Sequence, residues 1–272
     1  MRLPVRWVPL ALVALLATVA PSRAAAAPPW VDRHLTLPGG DWAFDFGLGV
    51  SHIQPAPPPY ADLSGVGMNA EMAVGLTSRV ELGVRTGLRF GDLAARSTQG
   101  DFYGRLFDRQ TFARGATGAD PVANPEVRVL GAIVREPIVE LGLEGRVVLP
   151  FEQGTSAGVL FGLPLAFHLG DRVRLDLGVY VPIVFSRPDA FTDLAVPVDV
   201  WIQATRRLWL GPMTGVRVAH IGDAGEGRVS LGFGLGYQIT HAVDFKAMLL
   251  FPGVNIESRN FGAGAGFQIR IE

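Results

Sequence analysis

Residues 126–150 read EVRVLGAIVREPIVELGLEGRVVLP, and their alternation decides the fold. Two extended segments, 126–135 and 137–150, meet at a tight turn over Arg135–Pro137. Arg128, Glu140, Glu144 and Arg146 fall on one face, and bulky apolar side chains such as Val139, Leu141 and Leu143 on the other. A period of two is the mark of a strand, because successive side chains point to opposite faces.

The same period runs through most of the chain. Trp42, Phe44, Phe46, Leu48 and Val50 share a face, as do Val66, Met68, Met72, Val74 and Leu76, then Val80, Leu82, Val84, Leu88 and Phe90. Beyond residue 150 the pattern predicts strands at 157–168, 172–185, 193–205, 207–220, 228–239, 242–251 and 259–271, twelve in all, with ten or fourteen as alternatives. Connections alternate between tight turns (Thr77–Arg79, Arg135–Pro137, Leu169–Asp171, Thr205–Arg207, Thr240–His241) and longer loops, the longest at 91–125. The expected fold is all-β: a transmembrane antiparallel up-and-down barrel over 41–272, with an even strand count that puts both termini on one side.

Charge is partitioned by face. The apolar face of these segments carries no Asp, Glu, Lys or Arg. The other face holds the acids Asp45, Glu71, Glu81, Glu140, Glu144, Asp176, Asp199 and Asp244, and the bases Arg85, Arg89, Arg128, Arg146, Arg174, Arg217, Lys246 and Arg270. A charge facing lipid costs about 2–4 kcal/mol at the bilayer midplane, which accounts for so clean a separation. A soluble sheet would also keep its core face apolar. A membrane barrel is favoured because the polar face is rich in Gly and poor in Lys. Apolar-face aromatics also gather near strand ends, as in interfacial girdles: Phe90, Phe185, Phe251 and Phe261 at one rim, Trp42, Phe167, Tyr237, Phe245 and Phe267 at the other.

Composition excludes other classes. Charged residues make up 18%, below the ~25% of soluble domains. Lys plus Arg (24) nearly cancels Asp plus Glu (25), so no basic field points to nucleic acid. Cysteine is absent, which removes disulfides, thiolate metal sites and Cys nucleophiles. The head of the chain reads as a secretory signal: Arg2 and Arg6, an apolar run from Val8 to Ala20, then small residues, with cleavage expected near residue 26. Residues 27–40 are expected to be a short periplasmic segment ahead of the barrel.

The stretches NPEVRVLGAIV, VELGLEGRVVLP, RLDLGVYVPI and FGAGAGFQIRIE resemble Gram-negative outer-membrane β-barrel proteins, in style the uptake-type barrels for aromatic and other hydrophobic compounds. The resemblance covers most of 41–272 and carries over no functional residue. It implies outer-membrane lipid and the barrel-assembly machinery as partners, with periplasmic termini. In one respect the chain departs from such barrels, which end in an aromatic read during assembly: it closes on Arg270, Ile271 and Glu272, with Phe267 the last aromatic.

Function is expected inside the barrel, as a passive channel or uptake route for a small solute, with a closed structural barrel as the alternative. The inward charges either line a pore or pair internally, and a turn centred on Ser78 sets Glu71 opposite Arg85. Trp201 and Trp209 fall on the polar face, where they narrow the lumen or stack a ligand. Inward Gly residues (158, 162, 178, 232, 234, 236, 262, 264, 266) leave open lumen or let strands bend. Within 91–125, Phe102, Tyr103, Arg105, Phe107, Arg109 and Phe112 make a candidate gating loop. An outer-membrane hydrolase is the remote alternative. Ser51 and His52 face opposite ways, no G-x-S-x-G and no metal-ligand cluster is evident, and no catalytic residue or cofactor is expected.

Overall fold

The computed structural model describes residues 28–53, 63–91, 121–186, 190–219, 221, 227–255 and 260–272. The expected signal segment 1–26 and the expected gating residues of the 91–125 loop lie outside the described residues.

The strands are β1 (Trp42–Ile53), β2 (Leu63–Thr77), β3 (Val80–Gly91), β4 (Glu126–Arg135), β5 (Val139–Val148), β6 (Gly158–Leu169), β7 (Val173–Val184), β8 (Phe191–Thr192), β9 (Leu194–Gln203), β10 (Leu208–Val218), β11 (Gly227–Gln238), β12 (Val243–Pro252) and β13 (Phe261–Ile271). The two-residue β8 and β9 are one stave interrupted at Asp193, and both pair with β7, which leaves twelve staves. Each stave pairs antiparallel with its sequence neighbour, and β1 closes on β13 from Trp42↔Ile271 to His52↔Phe261. Closure leaves no open sheet edge. No α-helix occurs among the described residues.

One device recurs at the tight turns. Thr77, Thr205 and Thr240 each accept two backbone N–H groups on Oγ1: from Arg79 and Val80, from Arg207 and Leu208, and from Ala242 and Val243. A short hydroxyl side chain thus satisfies donors that the ladder no longer reaches. The turn between β6 and β7 instead uses Gly170 at φ 68°. These turns and the described termini share one rim, the turn end. The longer loops share the other.

Two bulges adjust the register, between Gly75 and Thr77 on β2 and between Ala132 and Val134 on β4. The second shifts the alternation, so that Ile133 faces outward while Arg135 reaches inward to Thr36 Oγ1 at 2.5 Å. Outside, the wall is apolar from Leu48 and Val66 to Leu249 and Phe267. Trp42, Phe90, Phe185 and Tyr237 are exposed near strand ends, but Phe46 and Phe233 are exposed at mid-wall, so outward aromatics are not confined to the rims.

The segment expected at 27–40, ahead of the barrel, is described from residue 28 onward. Residues 28–41 lie across the turn-end mouth of the barrel, against its inner wall. Val31 and Thr36 are buried, and a single 3-10 turn at Trp30–Asp32 aims Trp30 inward. The segment is anchored beside β2, where Gly40 N donates to Gly75 O and Gly75 N donates to Asp41 O. A Cβ on Gly75 would overlap the Pro38 backbone, so the glycine is what lets the segment seat.

If the outer wall faces lipid, Leu48→Arg, at a residue 63% exposed on β1, should cost about 2–4 kcal/mol. Its folded fraction, read by heat-modifiable gel mobility, should fall well below that of the parent chain.

Candidate functional site

The inner wall carries its charges as lattices. On β2–β5, Arg128 bridges Glu71 at 3.0 Å and Glu81 at 2.5 Å. Arg85 meets Glu126 at 3.0 Å and Glu71 at 3.9 Å, with Glu71 opposite Arg85 in the register. Arg146 meets Glu126 at 2.9 Å and Glu144 at 2.6 Å. Removing these side chains from water is costly, and multiple partners offset that cost. Nearer the loop end, Arg89 pairs with Glu152 at 3.4 Å and Arg217 with Asp193 at 2.5 Å. On the remaining staves Arg174 pairs with Asp176 at 2.7 Å, Lys246 with Asp45 at 3.5 Å and Arg270 with Asp244 at 3.4 Å. Asp199 stands opposite Asp176 and is buried.

The 28–41 segment completes this set. Arg33 grips Asp244 with both terminal guanidinium nitrogens, at 2.5 and 3.2 Å. Glu140 is approached by His34 at 2.6 Å, the backbone N–H of Leu35 at 3.1 Å, and His168 at 3.2 Å. Leu37 N donates to Glu81 at 2.9 Å, and Val31 N donates to Gln203 Oε1 at 3.4 Å. Arg174 donates to the Arg33 carbonyl. Beside the segment's anchor, burial and the nearby Glu272 carboxylate raise the Asp41 pKa, with Arg270 opposing. A raised carboxylic pKa binds its proton more tightly when folded, so Asp41 lowers stability as pH rises above the ordinary carboxylate value.

Three indoles meet at this mouth. Trp30 stacks on Trp209, centroids 5.0 Å apart and planes 3° apart, and meets Trp201 edge-on at 6.3 Å. Three cations face the Trp30 ring, with Lys246 Nζ at 4.8 Å, Arg33 Cζ at 5.2 Å and Arg174 Cζ at 5.9 Å from its centroid. Four of the inward glycines make room for rings, two of them at this mouth. A Cβ on Gly236 would overlap Trp209, one on Gly234 would overlap Trp201, and ones on Gly162 and Gly178 would overlap Tyr180. They are seats for rings lying flat on the wall.

What remains is a cavity of about 440 Å³ between the segment and the wall, with Trp30, Arg33, Arg174, Asp199 and Trp201 on its boundary. Towards the loop end, Val148, Leu160, Tyr180, Val184 and Ala195 form a buried apolar cluster. Sequence reasoning missed Glu126, Glu152 and Asp193, acids at strand ends or in connections, together with Arg33 and His34. At the loop-end rim His52 rests on the Phe261 ring at 5.6 Å and meets Ser64 Oγ at 3.2 Å.

By sequence, the chain matches no protein-family model and no curated protein. Among solved structures it is similar to an outer membrane channel from Pseudomonas putida F1 (TM-score 0.61, 12% identity, covering 87% of this chain and 97% of that one). It is also similar to the NanC porin (0.58, 7%, 83% and 98%) and the KdgM porin (0.54, 7%, 84% and 99%). The fold is therefore that of the outer-membrane β-barrel porins and channels. Identities this low carry the fold alone, so the cargo has to be argued from the residues of this chain.

The Arg128 lattice sets a testable energy. Arg128→Met removes the guanidinium shared by Glu71 and Glu81 and leaves them the weaker support of Arg85 and the Leu37 N–H, which should destabilise the barrel by about 3 kcal/mol in urea titrations. Adding Glu81→Gln should restore part of that loss.

Proposed function

We propose that this chain is an outer-membrane channel for small solutes whose periplasmic mouth is closed, in the state described here, by residues 28–41. The observation that carries this reading is how the segment is held. It crosses the mouth outside the strand ladder, on side-chain contacts, stacking and two backbone hydrogen bonds to Gly75 at its end, with a cavity between it and the wall. An element outside the ladder can swing away from the mouth without breaking any hydrogen bond between staves, while its backbone bonds to Gly75 hold its end. The periplasm is assigned to the turn end because outer-membrane barrels place short turns there and long loops outside.

In this reading a solute would meet the cavity bounded by Trp30, Arg33, Arg174, Asp199 and Trp201, because the apolar cluster on β5–β9 and the charge lattices on β2–β5 are buried. A second reading, a closed structural barrel, is favoured by the density of internal ion pairs on β2–β5.

Single-channel recording in planar bilayers separates the two. The folded mature chain should show little conductance, and the same chain lacking residues 28–40 should show stable steps. Silence from both, with heat-modifiable mobility confirming folded barrels, would establish the structural barrel instead.

A further inference from the structure

The barrel holds residues 28–41 as a receptor holds a ligand, and the occupant's chemistry describes what the site accepts. Two side chains of the segment define that chemistry. Trp30 presents a flat aromatic face to Trp209, and Arg33 places a guanidinium 5.6 Å from the Trp209 ring and onto Asp244. The wall supplies the complement: an indole face, the edge of Trp201, and a carboxylate whose side chain is 0% exposed. Trp30 Nε1 has no hydrogen-bond partner among the described residues, so stacking and its neighbouring cations hold the ring, and an equivalent ring can replace it.

Charge decides which ring. The segment's polar contacts are mainly donations to wall acceptors: Arg33 to Asp244, Leu35 N to Glu140 and Leu37 N to Glu81. Its departure removes cationic and N–H donors from three buried carboxylates. Of the wall cations around the vacated slot, Lys246 keeps Asp45 at 3.5 Å, and Arg174 keeps Asp176 at 2.7 Å although it loses the Arg33 carbonyl. Arg270, 3.4 Å from Asp244, also donates to the His241 carbonyl at 3.0 Å. The vacated recess thus combines an aromatic platform with an under-compensated carboxylate, the pairing that selects flat cations over flat anions.

We propose that the Trp201, Trp209 and Asp244 recess binds a planar organic cation, an aromatic ring carrying an amine or guanidinium, in competition with Trp30 and Arg33. This rests on the channel reading in one respect: the segment must be able to leave.

The test uses the folded mature chain in detergent micelles and its Trp30→Ala/Arg33→Ala variant, titrated calorimetrically with tryptamine, indole-3-acetate and indole. Tryptamine should bind the variant at least tenfold more tightly than either other probe, and the parent chain more weakly than the variant. Trp209→Leu added to the variant should abolish binding, and Asp244→Asn should erase the preference for tryptamine over indole. Equal or tighter binding of indole-3-acetate, or no binding of tryptamine to a variant shown folded by heat-modifiable mobility, would overturn the proposal. Should Asp244→Asn fail to fold, the Trp209→Leu comparison and the three-probe ranking still decide it. Conductance of the same variant keeps the two readings apart. Steps without tryptamine binding remove the site and leave the channel; binding without steps removes the channel and leaves the site.

Discussion

A strand in hydrocarbon finds no water for its N–H and C=O groups, so each must pair with another strand until the sheet meets itself. That constraint fixes the rest of this molecule. It accounts for the ladder between β1 and β13, and in the channel reading proposed above it sends one face of every stave to lipid and the other to the lumen. Since charges facing lipid are prohibitive, the acids and bases of twelve staves collect in one narrow interior. There they either pair or shift towards neutrality. Arg128 between Glu71 and Glu81, and Arg146 between Glu126 and Glu144, show the first solution.

The N-terminal segment answers the same constraint at the turn end. Asp244 and Glu140 sit on the wall without an exposed surface, and much of their compensation comes from Arg33, His34 and the Leu35 N–H rather than from neighbouring staves. The wall therefore depends on an element outside the ladder to balance its charges. The same element brings the third indole to Trp201 and Trp209, so electrostatics and stacking together hold the segment across one mouth.

What was legible in the sequence followed the period of two. Twelve staves, the tight turns at Thr77, Leu169, Thr205 and Thr240, and the register that sets Glu71 against Arg85 all depend on local spacing, and spacing is visible in a string. What was not legible depends on closure. Arg33 meets Asp244 across 211 residues of chain and Val31 meets Gln203 across 172, and PWVDRHLTLPGG shows no period to announce either contact. The bulge at Ala132–Val134 escaped for a related reason, since no turn signal marks a slip inside a strand. The inward glycines suggested empty space or bending. Their purpose emerges only when Trp209 is seen lying on Gly236 and Trp201 reaching to Gly234. The role of the 91–125 loop, which the sequence marks with Phe102, Tyr103, Phe107 and Phe112, lies outside the described residues.

The account stands or falls on residues 28–41 occupying the mouth of the folded barrel. Because the chain has no cysteine, a single introduced thiol reports one position without background. The most direct measurement is the rate at which a membrane-impermeant maleimide labels Val31→Cys, at a fully buried position, against Pro28→Cys, at an exposed one, in the folded mature protein. The account predicts prompt labelling at 28 and strong protection at 31, with protection lost on unfolding. Equal labelling of both positions in the folded barrel would contradict it.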